Sequence, residues 1–195
     1  MRDRYKEFVK INGVPNKEDT IQLIEQIENE RTKALVSLSY LTAGRVSEIC
    51  GELKKKHFTE ITKMIKYGLD MEKERTFIEV HMPNRKNKTI KSKKIPIPMD
   101  RDYEIKIMSF VMDYIAPIYE ERVIFPFSRQ RADQLIKLHA KQFYHHHFLR
   151  GLRLSHLVVY NGYDGQRLVK FAGWTDSRPA KWYMMLSTDD LMRNL

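Results

Sequence analysis

The sequence predicts an α+β fold that is mainly α-helical and carries one small antiparallel β-hairpin or sheet. Apolar residues recur at helical spacing over most of the chain, and two segments rich in β-branched and aromatic residues flank a polar turn near its middle. No internal repeat or low-complexity tract interrupts this pattern. A chain of 195 residues is long enough for one domain with a substantial hydrophobic core.

The N-terminal part of the chain predicts a lead-in segment followed by three helices. Residues 1–16 are polar, and we expect them to form a lead-in or linker to a domain that covers residues 17–195. Asn16 is a candidate N-cap for the first helix, in "NKEDTIQLIEQIENE". The second helix, "RTKALVSLSYLTA", is expected to end at Gly44, and a third, "VSEICGELKKK", follows at once.

The middle of the chain predicts the sheet, and the remainder is again helical. The segments "RTFIEVHMP" and "KKIPIP" are typical of two strands in an antiparallel hairpin, with prolines that suit an edge strand. A long helix in "YEIKIMSFVMDYIAPIYEE" is broken at Pro117. From Arg129 the pattern is helical nearly to the end, with breaks at residues 161–165 and 173–179.

The chain is strongly basic. Lys and Arg number 35 against 25 Asp and Glu, which gives a net charge of +10 and a pI near 9.6. A protein with this charge is expected to bind a polyanion, and nucleic acid is the first candidate. The alternative is a basic protein whose charges only face solvent.

The cysteine content and the hydropathy pattern exclude several other classes. Cys50 is the only cysteine, so the chain can form neither an internal disulfide nor a thiolate metal cluster. No apolar segment approaches the roughly 20 residues that span a bilayer, and the N-terminus lacks the apolar core of a secretory signal. We therefore expect a cytoplasmic protein with no membrane partner.

The predicted hairpin carries a group of cations. Residues 81–98 contain no acid, and the cations that could contact DNA are Arg85, Lys86, Lys88, Lys91 and Lys93. Side chains at a hairpin turn and on its edges can reach into a groove and touch phosphates. The alternative is an edge strand that lysines protect from aggregation.

Three consecutive histidines in "YHHHFLRGLR" do not predict a metal site. Adjacent residues on a helix diverge by about 100°, so the three rings cannot converge on one ion. His147 and Arg150 are three residues apart and share a helix face, which suits an anionic phosphate. We expect no metal and no cofactor.

Two further segments hold candidate site residues. Arg45 follows Gly44 at the start of a helix, where it can point into a cleft while Glu48 holds it; the alternative is a structural ion pair. Tyr183, in "WTDSRPAKWYMML", is either a core anchor or a nucleophile. The sequence has no Gly-rich phosphate loop, HExxH, GxSxG or carboxylate cluster for magnesium. For an enzyme that acts on DNA, this favours metal-free phosphoryl transfer with a protein nucleophile.

Taken in order, these segments resemble the motifs of the tyrosine recombinase (phage integrase) family. The segment "TAGRVSEI" is similar to the family's first arginine motif, which implies that Arg45 is a catalytic arginine and Glu48 its supporting acid. The segment "NRKNKTIKSKKIPIP" is similar to the family's β-hairpin, whose turn carries a catalytic lysine. The resemblance favours Lys88 for that role and leaves Lys86 open.

The C-terminal segments extend the resemblance to the end of the chain. "HHFLRGLRLSHLVVYNG" is similar to the H-x-L-R motif, which implies catalytic roles for His147 and Arg150, although Gly151 stands where the family usually has histidine. "LVKFAGW" is similar to the segment that ends in the family's G-H or G-W pair, which gives Trp174. The family's tyrosine follows nine positions later, at Tyr183.

The resemblance implies the catalytic-domain fold of that family and a site-specific recombinase or integrase. Such an enzyme cleaves and rejoins DNA through a 3′-phosphotyrosyl intermediate without metal or ATP. Its expected partners are a double-stranded DNA attachment site and further copies of itself, as a tetramer on DNA. The expected location is the cytoplasm, at the nucleoid, and the expected source is a virus or mobile element. The family's N-terminal clamp domain has no counterpart in residues 1–16, so we expect a fragment.

Two alternative functions stay open at this point. A type IB topoisomerase shares the same catalytic groups and relaxes supercoils without strand exchange, but its motif spacing is less similar. A DNA-binding module that has lost catalysis would not need the full set of six site residues, since any lysine can contact a phosphate.

Overall fold

The fold is mainly helical, and one three-stranded antiparallel sheet joins its core, which confirms the predicted α+β class. The computed structural model describes residues 4–67, 71–84 and 91–193, apart from the side chains at 67 and 187–193. The helices in these residues are α1 (Arg4–Asn12), α2 (Lys17–Glu25), α3 (Glu30–Thr42), α4 (Val46–Ile49), α5 (Asp102–Ile115), α6 (Arg129–His139), α7 (His146–Val159), α8 (Gly165–Ala172) and α9 (Arg178–Arg193). None of them combines the length and the apolar character that crossing a membrane requires.

The sheet has one strand more than the sequence predicts. Its strands are β1 (Phe58–Tyr67), β2 (Met71–Pro83) and β3 (Ser92–Pro98), in the order β1-β2-β3 with antiparallel pairing. Strand β1 has a charged residue at every third position, among Thr, Ile and Met, and lies largely exposed, so it lacks the apolar run that marks a strand. The predicted hairpin corresponds to β2 and β3.

The inner face of the sheet packs on the helices. Along β3 every second residue is buried, which places Ile95 and Ile97 on the same face as Lys93. Opposite them on β2 lie Val80 and Ile78, and all four apolar side chains belong to the hydrophobic core. The alternation therefore carries the side chain of Lys93 inward.

Helix α3 is the central element of the core. It is buried on all sides from Ala34 to Thr42, as expected of a helix surrounded by other helices. Its N-cap is Asn29, whose side chain accepts the backbone N–H of Thr32 at 2.9 Å. Its C-cap is Ala43, whose φ of 44° is left-handed and turns the chain sharply toward α4.

Helix α7 is fixed to α3 and α5 by buried polar contacts. Arg153 Nη1 lies 3.3 Å from Glu104 Oε1 on α5, and both side chains are almost fully buried. His156 Nδ1 lies 2.6 Å from the Tyr40 hydroxyl on α3. These contacts between buried polar groups join α7 to α3 and α5, so α7 has a defined position.

Helix α1 lies within residues 1–16, the segment expected to be a lead-in or linker. Tyr5 and Val9 lie on one face of α1 and are buried. The Tyr5 hydroxyl donates to Ser155 Oγ on α7 at 2.7 Å. The N-terminal helix is thus packed onto the same helix that carries Arg150.

Candidate active site

The connection from α3 to α4 fixes the position of Arg45. At its second residue, Gly44, an added Cβ would lie 2.6 Å from Met82 Cε, so the side chain of Met82 would have to move. Arg45 is the N-cap of α4, and Glu48 turns back toward it. Glu48 Oε2 accepts the Arg45 backbone N–H at 3.0 Å, and Oε1 accepts from Arg45 Nη1 at 2.7 Å. The guanidinium therefore has one fixed orientation.

A second cation, Lys93, contacts the carboxylate of Glu48. Lys93 Nζ lies 3.1 Å from Glu48 Oε2, and both side chains are buried. Burial lowers the pKa of Lys93 to about 8, and the charges of Arg150 and Arg45 act in the same direction, while Glu48 opposes them. Burial alone would raise the pKa of Glu48, but Lys93 and the bonds from Arg45 hold it below its ordinary value. Glu48 is therefore ionised and shared.

Arg150 is held at the C-terminal ends of two helices. Its Nη2 donates to the Ala172 carbonyl at the end of α8 at 3.0 Å, and its Nη1 donates to the carbonyl of Ala43 at the end of α3. Helix C-termini carry partial negative charge, so both contacts favour a cation. Burial and then the charge of Arg45 lower the pKa of Arg150 to about 10, opposed by Glu48 and Tyr183. Arg150 stays charged near neutral pH.

We call Arg45, Lys93 and Arg150, together with Glu48, the cation cluster. It contains three cations and one carboxylate, so it carries a net positive charge in a largely buried position. An excess of buried positive charge is costly unless an anion compensates it. The cluster is therefore suited to bind an anionic group such as a phosphate.

Trp174 and Tyr183 lie against the cation cluster. The C-cap of α8 is Gly173, where φ is 68°, and the backbone N–H of Trp174 donates back to the Val169 carbonyl at 3.1 Å. The Arg150 guanidinium carbon lies 5.7 Å from the centre of the Trp174 ring. The Trp174 and Tyr183 rings stack with centres 6.0 Å apart and planes 26° apart. Tyr183 is buried, and its interaction with Arg150 raises the pKa of that arginine against the effect of burial.

The two histidines that begin α7 have different environments. His147, predicted to lie in the site, is exposed, and its charge helps to lower the pKa of its neighbour. His146 is buried, with Nδ1 3.2 Å from Ser39 Oγ and Nε2 3.1 Å from the Gly44 carbonyl. Because a carbonyl only accepts, Nε2 carries the ring proton. Burial lowers the pKa of His146 to about 4, so it is neutral and supports the segment before Arg45.

The residue that follows β2 contacts the end of α8. Asn84, which directly follows β2, is buried and its Nδ2 donates to the Gly173 carbonyl at 3.4 Å. The backbone N–H of Asn84 donates to the carbonyl of Lys91, which is exposed. Lys93, expected to contact DNA, points inward to Glu48 instead. The remaining predicted cations of the turn, namely Arg85, Lys86 and Lys88, lie outside the described residues.

The structure thus brings together five of the predicted site residues from distant parts of the chain: Arg45, Glu48, Arg150, Trp174 and Tyr183. The sequence pattern could have identified Lys93 as a sixth, because its alternation with Ile95 places it on the buried face. No spacing distinguishes His146 from His147. In the described residues, no group of three His, Cys, Asp or Glu side chains could hold a metal ion.

Comparisons with known proteins do not assign this chain to a family. No model of a known protein family matches it, and no curated protein matches it significantly. A function for the chain is therefore proposed from its own residues and their geometry.

Proposed function

We propose that this chain is a site-specific DNA recombinase that cleaves and rejoins strands through a 3′-phosphotyrosyl intermediate, without metal or ATP. One observation carries the proposal. The ring of Tyr183 lies against Trp174, which in turn lies over the Arg150 guanidinium, and Arg45 belongs to the same cation cluster. A phenol beside a buried excess of positive charge is what a tyrosine nucleophile for a phosphodiester needs.

The cleavage step would exchange one phosphate ester for another. The Tyr183 oxygen attacks the phosphorus and forms the new O–P bond, while the bond from phosphorus to the 5′-oxygen breaks. The phenol proton leaves to a base, for which His147 is the candidate. The 5′-oxygen takes a proton from a lysine of the hairpin turn, for which Lys88 is the first candidate and Lys86 the second. Attack by a 5′-hydroxyl on the phosphotyrosine reverses these steps and seals a strand.

The cation cluster would stabilise the transition state of both steps. Negative charge gathers on the non-bridging oxygens as the phosphorus becomes five-coordinate. Arg45 and Arg150 each carry five N–H groups, and the contacts with Glu48, Ala43 and Ala172 use only part of them. Loss of one such donor costs on the order of 3 kcal/mol of transition-state stabilisation, a hundredfold or more in rate.

The wider proposal follows from the same chemistry. The partner would be a double-stranded DNA attachment site, with Lys91 and the cations of the turn on its phosphates. Strand exchange between two sites needs four nucleophiles, so the active form would be a tetramer on DNA. The same proposal includes the catalytic-domain fold of tyrosine recombinases, a mobile genetic element as the source and a location at the nucleoid.

Covalent trapping tests the proposal. Nicked duplexes of randomised sequence release a short strand after cleavage, so the enzyme cannot reseal and the adduct accumulates. Denaturing electrophoresis should show an adduct with the wild-type chain and none with Tyr183→Phe, which should still bind DNA because the phenyl ring keeps its packing. Tyr119→Phe, at a position 81% exposed, is the matched control and should form the adduct. An adduct with Tyr183→Phe would refute the assignment.

The same preparation distinguishes the nearest alternatives. Relaxation of a supercoiled plasmid of unrelated sequence, with no strand exchange, would indicate a topoisomerase. Tight DNA binding with no adduct on any duplex would indicate a DNA-binding module.

A further inference from the structure

We infer that Tyr5, on the N-terminal helix α1, is a positioning residue that holds the nucleophile Tyr183 through Trp182. The inference rests on the proposed function, because it concerns the placement of the attacking oxygen. It assigns a role to a segment that the sequence motifs leave without one.

Tyr5 is fixed at both ends of its side chain. It is 1% exposed, and its hydroxyl donates to Ser155 Oγ on α7 at 2.7 Å. Its ring meets the edge of Phe148 at a centre-to-centre distance of 5.0 Å and an interplanar angle of 85°. A buried aromatic ring with a satisfied hydroxyl has one orientation, so Tyr5 is a rigid part of the α1–α7 contact.

The same ring contacts the helix that carries the nucleophile. The centres of the Tyr5 and Trp182 rings lie 6.0 Å apart in an edge-to-face arrangement. Lys6 Nζ, from the next residue of α1, lies 5.0 Å from the centre of the Trp182 ring. Helix α1 therefore contacts Trp182 with two consecutive side chains.

Trp182 passes this contact to Tyr183. The two rings meet edge to face at 4.8 Å, and the Tyr183 ring also stacks on Trp174 at 6.0 Å. The nucleophile ring thus contacts two indoles, of which Trp174 lies over Arg150 of the cation cluster and Trp182 lies against α1. A displacement of about 1 Å in a reacting group can cost a hundredfold in rate. Loss of the Tyr5 ring is therefore expected to slow the attack while leaving the phosphate contacts in place.

Gly151 supplies an independent indication that the position of Tyr5 matters. It lies in the interior of α7 with an ordinary helical backbone, so its conformation does not require glycine. An added Cβ would lie 2.4 Å from Tyr5 Cδ1 and 2.7 Å from Tyr5 Cγ. Glycine weakens a helix interior relative to alanine, and here it allows the Tyr5 ring to lie directly on α7.

The first test compares three variants in single-turnover cleavage of the nicked duplex. Tyr5→Ala should lower the rate of adduct formation by about tenfold to a hundredfold, with a Kd for the duplex within about twofold of wild type. Tyr5→Phe keeps the ring and should stay within about threefold. Val9→Ala removes another buried side chain from the same helix and controls for loss of stability. Wild-type cleavage by Tyr5→Ala, or an equal loss in Val9→Ala, would overturn the inference.

The second test is a double-mutant cycle between Tyr5 and Gly151. Gly151→Ala should displace the Tyr5 ring and slow cleavage as Tyr5→Ala does. In the Tyr5→Ala background the new Cβ has space, so Gly151→Ala should have no further effect on the rate. An undiminished effect in that background would mean that Gly151→Ala acts through its neighbour Arg150, and it would contradict the inference.

The third test does not depend on cleavage. The chain has two tryptophans, so Trp174→Phe leaves Trp182 as the only source of tryptophan fluorescence. Adding Tyr5→Ala to this variant should shift the emission of Trp182 to longer wavelength and increase its quenching by acrylamide. Unchanged emission and quenching would show that Tyr5 does not cover Trp182 and would overturn the inference. Absence of any wild-type adduct would defeat the proposed function and the positioning role together. Equal adduct rates in wild type and Tyr5→Ala would defeat only the positioning role.

Discussion

At the scale of single residues, Glu48 determines the arrangement of the site cations. It is fully buried, and its two oxygens contact Arg45 twice and Lys93 once. The spacing of Arg45 and Glu48 in the sequence predicts their ion pair. The contact with Lys93 joins residues far apart in the chain, so only the tertiary structure reveals that one carboxylate holds both cations.

Replacement of Glu48 by glutamine should be damaging. Glu48→Gln keeps the shape but leaves the buried Lys93 and the partly buried Arg45 without their counter-charge, which should lower the free energy of unfolding by about 3 kcal/mol. It should also slow adduct formation, because Arg45 loses its fixed orientation. Urea unfolding and covalent trapping measure the two effects. Glu121→Gln removes an exposed partner of Lys54 and Lys56 and should change both little, so equal losses in the two variants would contradict this account.

Lys93 should give the site a dependence on pH. Its pKa falls from an ordinary 10.5 to about 8 in the folded chain, so the unfolded chain binds more protons between these values. The contribution of Lys93 should therefore raise the free energy of unfolding as the pH rises from about 8 to 10.5. Over the first part of that rise the cation cluster loses one charge, so the affinity for DNA should fall.

The measurement is the Kd for a duplex between pH 7 and 9.5, at constant salt. Lys93→Met should lose the part of the pH dependence that belongs to this residue. Lys94→Met is the matched control, because Lys94 is the next residue of β3 and its side chain is 63% exposed. A pH dependence that persists in Lys93→Met and disappears in Lys94→Met would contradict the assignment.

At the scale of elements, Asn84, which follows β2, contacts Gly173 at the end of α8. A Cβ added at Gly173 would lie 2.8 Å from Asn84 Nδ2 and 3.4 Å from Lys93 Cδ. The chain can approach so closely only because residue 173 has no side chain. Trp174 follows directly, so the position of the hairpin and the position of the indole are coupled.

Gly173→Ala should therefore lower the free energy of unfolding by more than the cost of the left-handed backbone at that residue. Left-handed backbone costs a non-glycine residue about 1–2 kcal/mol, and Gly162, with φ of 62° and nothing within 4 Å of an added Cβ, isolates that cost. Gly173→Ala should lose more stability than Gly162→Ala and should also slow adduct formation, because Asn84 and Lys93 must move. Thermal unfolding and covalent trapping compare the two variants, and identical behaviour would show that the hairpin contact is unimportant.

Sequence patterns predicted the elements unevenly. Helices α2, α3 and α7 and strands β2 and β3 follow from periodicity and caps, because their buried faces leave a regular mark on the sequence. Strand β1 is largely exposed on both of its faces, and α1 is a short helix in a polar segment, so neither leaves such a mark. Pairing with β2 holds β1, and contacts with α7, far along the chain, hold α1.

At the scale of the whole molecule, the site joins the ends of several elements. Arg45 follows α3, Arg150 lies in α7, Trp174 follows α8 and Tyr183 lies in α9. The motifs predicted these residues and their order, but not the contacts of His146, Lys93 and Tyr5, which arise from packing. The surrounding surface belongs to a chain with a net charge of +10, which suits a partner as acidic as DNA.

The most direct test of the central claim identifies the residue that becomes linked to DNA. The adduct formed on a nicked duplex is trimmed with nuclease and digested with trypsin, and the peptides are analysed by mass spectrometry. We predict that nucleotides linked through a 3′-phosphate are found on the peptide of residues 182–193, at Tyr183. A nucleotide on any other residue, or no adduct at all on duplexes that the chain binds, would contradict it.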